Sequence, residues 1–503
     1  MRENEYLSMA QEMLRSNDLS VKRIYFYNAF EDDISIQEPF RLPLVSYQIL
    51  ISWKLLGQNL WGPRLLNIFF ALFSIISIYY ISLLLFGNIN ISLFCAFLLA
   101  IMPLGVFFSR NLQPESPAFF FMLLGSALYL RFASSFKKYN LLLAGIAFSL
   151  SWLYESRFLI GVLPLIFCFP WKAMAKRKVE FLKSVFIILL SYAAVLIYII
   201  WLKRAGYPLF DYKLINALEV FRPSYWRDYG SVILWYIKGE NYTLIYSFLA
   251  CCGICLAVFK NKGQLNRYII GWVFAMVIYA MLFPAQIHQN SFAQMPFLGL
   301  VCIASAYVVS FVSAEIKRYL GKEMLIIVII FVLALSIHPV YQSLFRMYGT
   351  AFLGVDVAGE SLKEFTESGE RIFLFTHPQG YGIARYTSRF TGSPATVDEF
   401  KHKEEKYRVR IVCIYPGEYP EVLKKDNPLL YAYIEKNYRI KEVGLTENPN
   451  RLGYLILEKG KTDEKSIEDA LKTLSGKIET RTIYKIWGRY IFFYTIRPLI
   501  DNK

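Results

Sequence analysis

The sequence predicts an α-helical polytopic membrane protein carrying a small extracytoplasmic α/β domain at its C-terminal end. Three observations lead there. Hydrophobic residues make up 55% of the 503 residues, and they fall in long uninterrupted blocks, not in the short stripes of a soluble core. The blocks end near residue 341, after which charged and apolar residues alternate over short runs. Basic residues, finally, fall unevenly between alternate loops, as they do when a chain threads a bilayer.

The apolar segments are 65–86, 90–108, 117–133, 141–155, 158–171, 184–202, 242–259, 268–285, 295–314 and 324–341. A span needs ~20 apolar residues, so 141–155 and 158–171 read as a tight hairpin of short spans. With residue 44–56 as a further apolar helix, about ten or eleven transmembrane helices result. Each must be helical, because hydrocarbon offers backbone amides no other partner. Alternate loops hold Lys137, Lys138, Lys172, Lys176, Arg177, Lys178, Lys183, Lys260, Lys262, Arg267, Lys317, Arg318 and Lys322; the intervening short loops hold only Arg110 and Arg157. The first set therefore lies inside, which places residues 1–64, the loop 203–241 and the tail 342–503 outside. These are the expected domains: a first outer loop with membrane-surface helices (1–64), the membrane domain (65–341) and the α/β tail (342–503).

In the tail, 371–375 and 409–414 read as strands, with more in 453–458 and 482–495. Residues 356–368 and 427–436 read as amphipathic helices. Gly380-Tyr381-Gly382 lacks a third glycine of a phosphate-binding fingerprint and reads as a turn.

The net charge of +16 suggests nucleic acid until the basic residues are located; sitting in inside loops, they serve orientation, and no nucleic-acid partner is expected. Of seven cysteines, only Cys413 lies outside the apolar blocks. Cys252 and Cys255 have CxxC spacing without surrounding ligands, so they read as packing residues. No pair of histidines has metal-ligand spacing, so a zinc site is not supported. Met1 opens directly into polar Arg2-Glu3-Asn4-Glu5, unlike a secretory leader.

Ionisable residues at span ends are functional candidates in a membrane protein. Glu3 and Glu5 precede a pattern from Tyr6 through Ala10 to Met13 that reads as an amphipathic helix on the membrane surface. Glu38 stands before Pro39 at the start of the apolar helix 44–56, where a carboxylate also suits the helix dipole. Arg110 and Glu115 share a short outer loop, with Glu115 held between Pro114 and Pro117. Arg157, in the turn Glu155-Ser156-Arg157, runs against the positive-inside trend; a bound phosphate or a pairing with Glu155 or Glu115 would each explain it. His288 belongs to an outer polar cluster with Gln289, Asn290 and Ser291.

In their order, these motifs resemble the membrane glycosyltransferases of the C-type (GT-C) fold. The nearest group comprises protein mannosyltransferases, lipid A aminoarabinose transferases and rhizobial lipopolysaccharide galacturonosyltransferases. The resemblance covers most of residues 1–300. An acidic first loop precedes Tyr6, Ala10 and Met13; Glu38-Pro39 leads to Leu42-Pro43-Leu44; Arg64-Leu65-Leu66 runs to Leu85-Phe86-Gly87; Glu115-Ser116-Pro117 is followed by Phe119-Phe120. Ser156-Arg157 stands where the family has a donor-phosphate contact, and His288 leads to Pro296. Two positions depart: Arg2 stands for the usual aspartate of the first loop, and Glu115 replaces an aspartate. The family also has a helix ahead of the first loop, which predicts either a further span upstream of Met1 or a first helix inserted with its N-terminus outside.

The resemblance implies transfer of a sugar from a polyprenyl-phosphate carrier to a lipid, glycan or protein acceptor in the cell envelope. Under it, Glu3 or Glu5 is the base and Glu115 acts with it. Glu115 and Glu38 orient the acceptor or hold a divalent cation such as Mg2+ or Mn2+, and Arg110, Arg157 and His288 bind the lipid phosphate. The alternatives are an oligosaccharide ligase or polymerase with a diphosphate-linked donor and, from another class, a transporter or flippase. The absence of a visible internal repeat speaks against a transporter.

Overall fold

Glycine, asparagine and proline punctuate the apolar blocks, and the helices of the computed structural model begin and end at them. It describes residues 2–19, 42–171, 176, 178–204, 218–260, 263–349, 352–376, 379–417, 419–447, 451–460, 466–486 and 489–498. They belong to two compact units, Met1–Glu38 with Tyr348–Lys503, and Pro39–Met347.

In the larger unit, α2 (Leu44–Leu56) is followed by α3 (Trp61–Phe86), which stops at Gly87 in the left-handed conformation (φ 63°), its N–H donating to the Leu83 carbonyl. Asn88 restarts the chain by accepting from the amides of Asn90 and Ile91 at the head of α4 (Ile89–Ile101). The segment expected to run unbroken over 90–108 divides at extended Met102, and Pro103 opens a separate short helix, α5 (Pro103–Phe108). Then come α6 (Glu115–Ser135) and α7 (Lys138–Tyr154). The second limb of the expected hairpin is half 3-10 helix (Ser156–Val162) and half short α8 (Leu163–Cys168). Helices α9 (Lys178–Ser191) and α10 (Ala193–Arg204) meet at a bend of 48°. Beyond them lie α11 (Pro223–Trp235), α12 (Thr243–Lys260), α13 (Gln264–Leu282), α14 (Pro284–Gln289), a 3-10 stretch (Ser291–Phe297) and α15 (Leu298–Gly349).

α15 is 52 residues of continuous helical backbone, yet it folds back on itself. Ser305 donates to the Tyr246 carbonyl at 3.2 Å, and the Tyr246 hydroxyl reaches Ser336 at 2.8 Å. In a straight helix those two serines would stand about 46 Å apart. The run is therefore two antiparallel limbs, matching the separate segments 295–314 and 324–341 expected from hydropathy.

Among the described residues, six helices are long and apolar enough to cross a membrane, with the bent α9–α10 pair as a seventh. Leu44–Leu56, Ile89–Ile101 and Ser156–Cys168 are apolar but shorter. The chain is an integral membrane protein whose remaining expected spans are short or broken helices. Small residues let backbones close up: a Cβ on Gly253 would lie 2.0 Å from the Ala304 carbonyl oxygen.

The smaller unit has a seven-stranded sheet ordered β2-β1-β3-β5-β4-β7-β6. Its strands are β1 (Arg371–Thr376), β2 (Phe390–Gly392), β3 (Ile411–Tyr415), β4 (Tyr438–Thr446), β5 (Arg451–Lys459), β6 (Gly476–Ile486) and β7 (Arg489–Pro498). β1 is parallel to β2 and β3, and the other pairings are antiparallel. Alternation sorts β1: Ile372 and Leu374 enter one apolar cluster, Phe373 and Phe375 the other. β3 is buried on both faces, so its residues are apolar without alternation. The expected helices over 356–368 and 427–436 are α16 (Val355–Phe365) and α20 (Pro428–Asn437). Between them lie α17 (Gly380–Thr387), α18 (Val397–Tyr407) and α19 (Tyr419–Asp426), and α21 (Ile467–Lys472) follows β5. Gly380-Tyr381-Gly382, expected as a turn, is the first turn of α17.

The N-terminal helix α1 (Arg2–Ser16) belongs to this unit and packs on α17. Gly382 permits that approach, since a Cβ there would lie 2.7 Å from the Asn4 amide. Tyr6, Ala10 and Met13, expected to face a membrane surface, are buried in protein.

Candidate active site

The site is built where three elements of the larger unit end. α6 starts at Glu115, and the carboxylate in its first turn meets the positive end of the helix dipole. α7 ends at extended Glu155, whose N–H donates to the Ser151 carbonyl at 3.0 Å. The Ser151 hydroxyl in turn donates to the Ala118 carbonyl of α6 at 2.8 Å, tying the two helices together just below. On the other flank, Ser116 donates to the Asn67 carbonyl of α3 at 3.3 Å, and the Asn67 amide donates to the Asn111 carbonyl of the preceding loop.

Arg157 lies between the two acids. Its Nε donates to Glu155 Oε1 at 2.9 Å, and its Nη2 reaches Glu115 Oε1 at 3.5 Å. Glu115 is 0%, Glu155 1% and Arg157 2% exposed. Burying three charges is expensive unless they pair, and here one guanidinium serves two carboxylates. Its third nitrogen, Nη1, is buried with no hydrogen-bond acceptor among the described residues. The Phe292 ring covers the guanidinium, with 5.3 Å from the Arg157 carbon to the ring centroid.

Phe292 is held in place by hydroxyls and an amide. Tyr279 donates to the Ala293 carbonyl at 2.6 Å and Tyr242 to the Gln294 carbonyl at 2.5 Å. Asn241 donates to the Ser291 carbonyl and to Gln294 Oε1, each at 3.0 Å. Beside the triad, a cavity of about 220 Å³ runs between α3, α4, α5 and α6, lined by Ile68, Leu72, Ile75, Leu99, Gly105, Ser109, Ser116, Phe119 and Met295. The break at Met102–Pro103 shapes its wall, because Gly105 follows it directly. Ser116, the residue after Glu115, lines this cavity, so an apolar slot of the kind that takes a hydrocarbon tail begins one residue from a triad of one guanidinium and two carboxylates.

The structure joins Glu115 and Arg157, both expected from sequence, and adds Glu155, which the sequence offered only as a pairing partner. The signal was the Glu-Ser-Arg triplet between two apolar segments. Phe292 carried no signal among 41 phenylalanines. Arg110 is exposed in the loop ahead of α6. His288 stacks on Tyr229 with ring centroids 3.7 Å apart and meets the Tyr225 ring edge-on. Partial burial lowers its pKa below the ordinary 6.5, against an opposing pull from Glu219. Glu3 and Glu5 lie in α1 of the smaller unit, and Glu38 lies outside the described residues. Among the described residues, no group of three or more His, Cys, Asp or Glu side chains could hold a metal ion.

Residues 37–202 match the family model of dolichyl-phosphate-mannose-protein mannosyltransferases, a stretch that includes Glu115, Glu155 and Arg157. No curated protein matches the chain. Among solved structures, the chain is similar to the apo oligosaccharyltransferase of Archaeoglobus fulgidus at 15% identity and TM-score 0.54, over 96% of this chain and 76% of that one. It is also similar to that organism's oligosaccharyltransferase in complex with an inhibitory peptide and a dolichol-phosphate, at 13% identity and TM-score 0.51, over 93% and 71%. ArnT from Cupriavidus metallidurans bound to undecaprenyl phosphate is similar at 13% identity and TM-score 0.50, over 92% and 94%. The chain thus has the GT-C fold of membrane glycosyltransferases, and the third of it that holds the buried carboxylate–arginine triad matches the protein mannosyltransferase family model.

Proposed function

We propose that this protein transfers a sugar from a polyprenyl-phosphate carrier to a cell-envelope acceptor on the extracytoplasmic face. The observation that carries the reading is the buried Glu115–Arg157–Glu155 triad with its uncommitted guanidinium nitrogen; Ser116, the residue after Glu115, lines an apolar cavity. The presence of a dolichol-phosphate and an undecaprenyl phosphate in two structures of the same fold supports it.

In this reading the acceptor hydroxyl attacks the anomeric carbon, the bond to the phosphate oxygen breaks, and the anomeric configuration inverts. Arg157 stabilises the charge that grows on the departing phosphate, through the N–H edge that Glu115 and Glu155 leave open. Those carboxylates hold the guanidinium plane and keep it ionised. The hydroxyl proton goes to a carboxylate; Glu3 and Glu5 are the candidates from the first segment and Glu115 the candidate within the triad. Glu38, Arg110 and His288 are assigned to substrate binding. Should a divalent cation take part, Glu115 and Glu38 are the acids proposed for it.

The test is transfer of label from a polyprenyl-phosphate sugar in vesicles holding the purified full-length protein. Arg157→Lys, which keeps the charge and loses the fork, is expected to lower turnover at least about a hundredfold. Unimpaired transfer by Arg157→Lys, and by Glu3→Ala, Glu5→Ala and Glu115→Ala together, would refute the assignment.

A further inference from the structure

A second cavity, of about 300 Å³, lies at the far end of the same helices. Tyr129 of α6, Leu141, Ala144 and Phe148 of α7, Val162 to Trp171 of the α8 limb, Phe181 to Ile188 of α9 and Tyr192 just past its end enclose it. Ile166, Trp171, Phe181 and Val185 are among the lining residues and are 36–55% exposed, so the cavity opens sideways onto the surface that a bilayer covers. An apolar cleft facing hydrocarbon attracts no water. What fills it is what surrounds it, an alkyl chain.

The end of the cleft has a sign. Trp171, its indole N–H donating to the Ile166 carbonyl at 3.0 Å, sits on Phe169 at 4.5 Å between ring centroids. An amphipathic ring in that position marks the membrane–water boundary. Exposed Lys176 and Lys183 follow it in the chain. The Cys168 thiol, beside Phe169 in the wall, donates to the Gln264 carbonyl at 3.8 Å, which brings the first turn of α13 and its exposed Arg267 to this end of the cleft. Lys176 precedes α9, Lys183 lies in its second turn and Arg267 in the first turn of α13, at helix ends that the charge asymmetry assigns to the inside.

We infer that this cleft binds an anionic glycerophospholipid of the inner leaflet, one acyl chain in the cavity and the phosphate near Lys176, Lys183 and Arg267. Basic clusters at the inner ends of transmembrane helices select such head groups. The occupant is distinct from the sugar carrier of the proposed reaction. α7 spans about 25 Å from Lys138 to Tyr154, and the cleft's charged end and Arg157 lie at its opposite ends. A carrier phosphate at Arg157 cannot also sit at Arg267.

The experiment is native mass spectrometry of the full-length protein released from mild detergent. It is paired with titration against bilayer discs of phosphatidylglycerol or phosphatidylcholine. The wild-type protein is expected to retain one glycerophospholipid and to prefer the anionic one. Ile166→Trp and Val185→Trp, which fill the cleft, are expected to lose it. Lys176→Glu with Arg267→Glu, at exposed positions that leave packing intact, is expected to erase the head-group preference, at about fivefold per charge removed. Retention of nothing, equal retention by the filled variants, an unchanged preference in the charge variant, or a polyprenyl phosphate as the retained species would each overturn the assignment. None of these outcomes depends on whether sugar transfer occurs.

Discussion

Arg157 has two acids and an aromatic lid, and each neighbour constrains it differently. Removing one member of a buried ion pair strands the others in a medium that cannot solvate them, at about 3–5 kcal/mol. Arg157→Ala should therefore unfold much more readily than Arg157→Lys in thermal melts of the detergent-solubilised protein. Glu155→Gln keeps an acceptor for Nε at 2.9 Å and removes a charge, so it should cost less stability than Arg157→Ala while still lowering transfer. The ratio of the two effects, read from melts and vesicle assays, separates positioning from folding. His288 gives a pH dependence. Its folded pKa lies below its unfolded one, so the unfolded state binds the proton first as pH falls. The stability it supports is complete above pH 6.5 and declines as pH drops through the window just below. His288→Gln should flatten that part of the stability–pH curve.

At the scale of elements, close helix contacts matter more than hydrophobicity, because lipid is as apolar as the core. Gly253 is the sharpest case, with no room for a Cβ against the Ala304 carbonyl. Gly253→Leu must push α12 from the first limb of α15, and a loss of about 1–3 kcal/mol is expected in thermal melts. Gly230 offers the control: a Cβ there makes ordinary contacts at 3.7 Å within α11, so Gly230→Ala should be neutral or stabilising. The hairpin of α15 depends on Tyr246 reaching both limbs. Tyr246→Phe deletes one of those bonds, at a cost of about 1 kcal/mol.

The whole molecule divides into two units, and the smaller one contains its own buried charges. Glu442, 0% exposed, accepts from the Tyr454 hydroxyl at 2.6 Å and from Arg497 Nε at 2.6 Å. Glu442→Ala should destabilise the sheet by about 3–5 kcal/mol and leave the packing of the helical unit unchanged. Limited proteolysis should then cut the tail first. Loss of both units at the same temperature in that variant would show instead that they unfold together.

Hydropathy and loop charge, which are sums over many residues, determined by themselves that this chain crosses a membrane and where most of its helices lie. Local stop signals such as Gly87-Asn88 were equally legible, since their geometry depends on near neighbours alone. Motif order went further, to the fold, and named Glu115 and Arg157 among its candidates. The break at Pro103, the return of α15 and the placing of α1 with the tail are decided by contacts between segments far apart in sequence, to which a local pattern is blind. The same reason explains the site. Glu155 came into it because α7 ends beside the start of α6, and Phe292 because Asn241, Tyr242 and Tyr279 hold its loop over Arg157, 135 residues away in sequence. A buried charge is stable only where such partners converge, and convergence is a property of the tertiary structure.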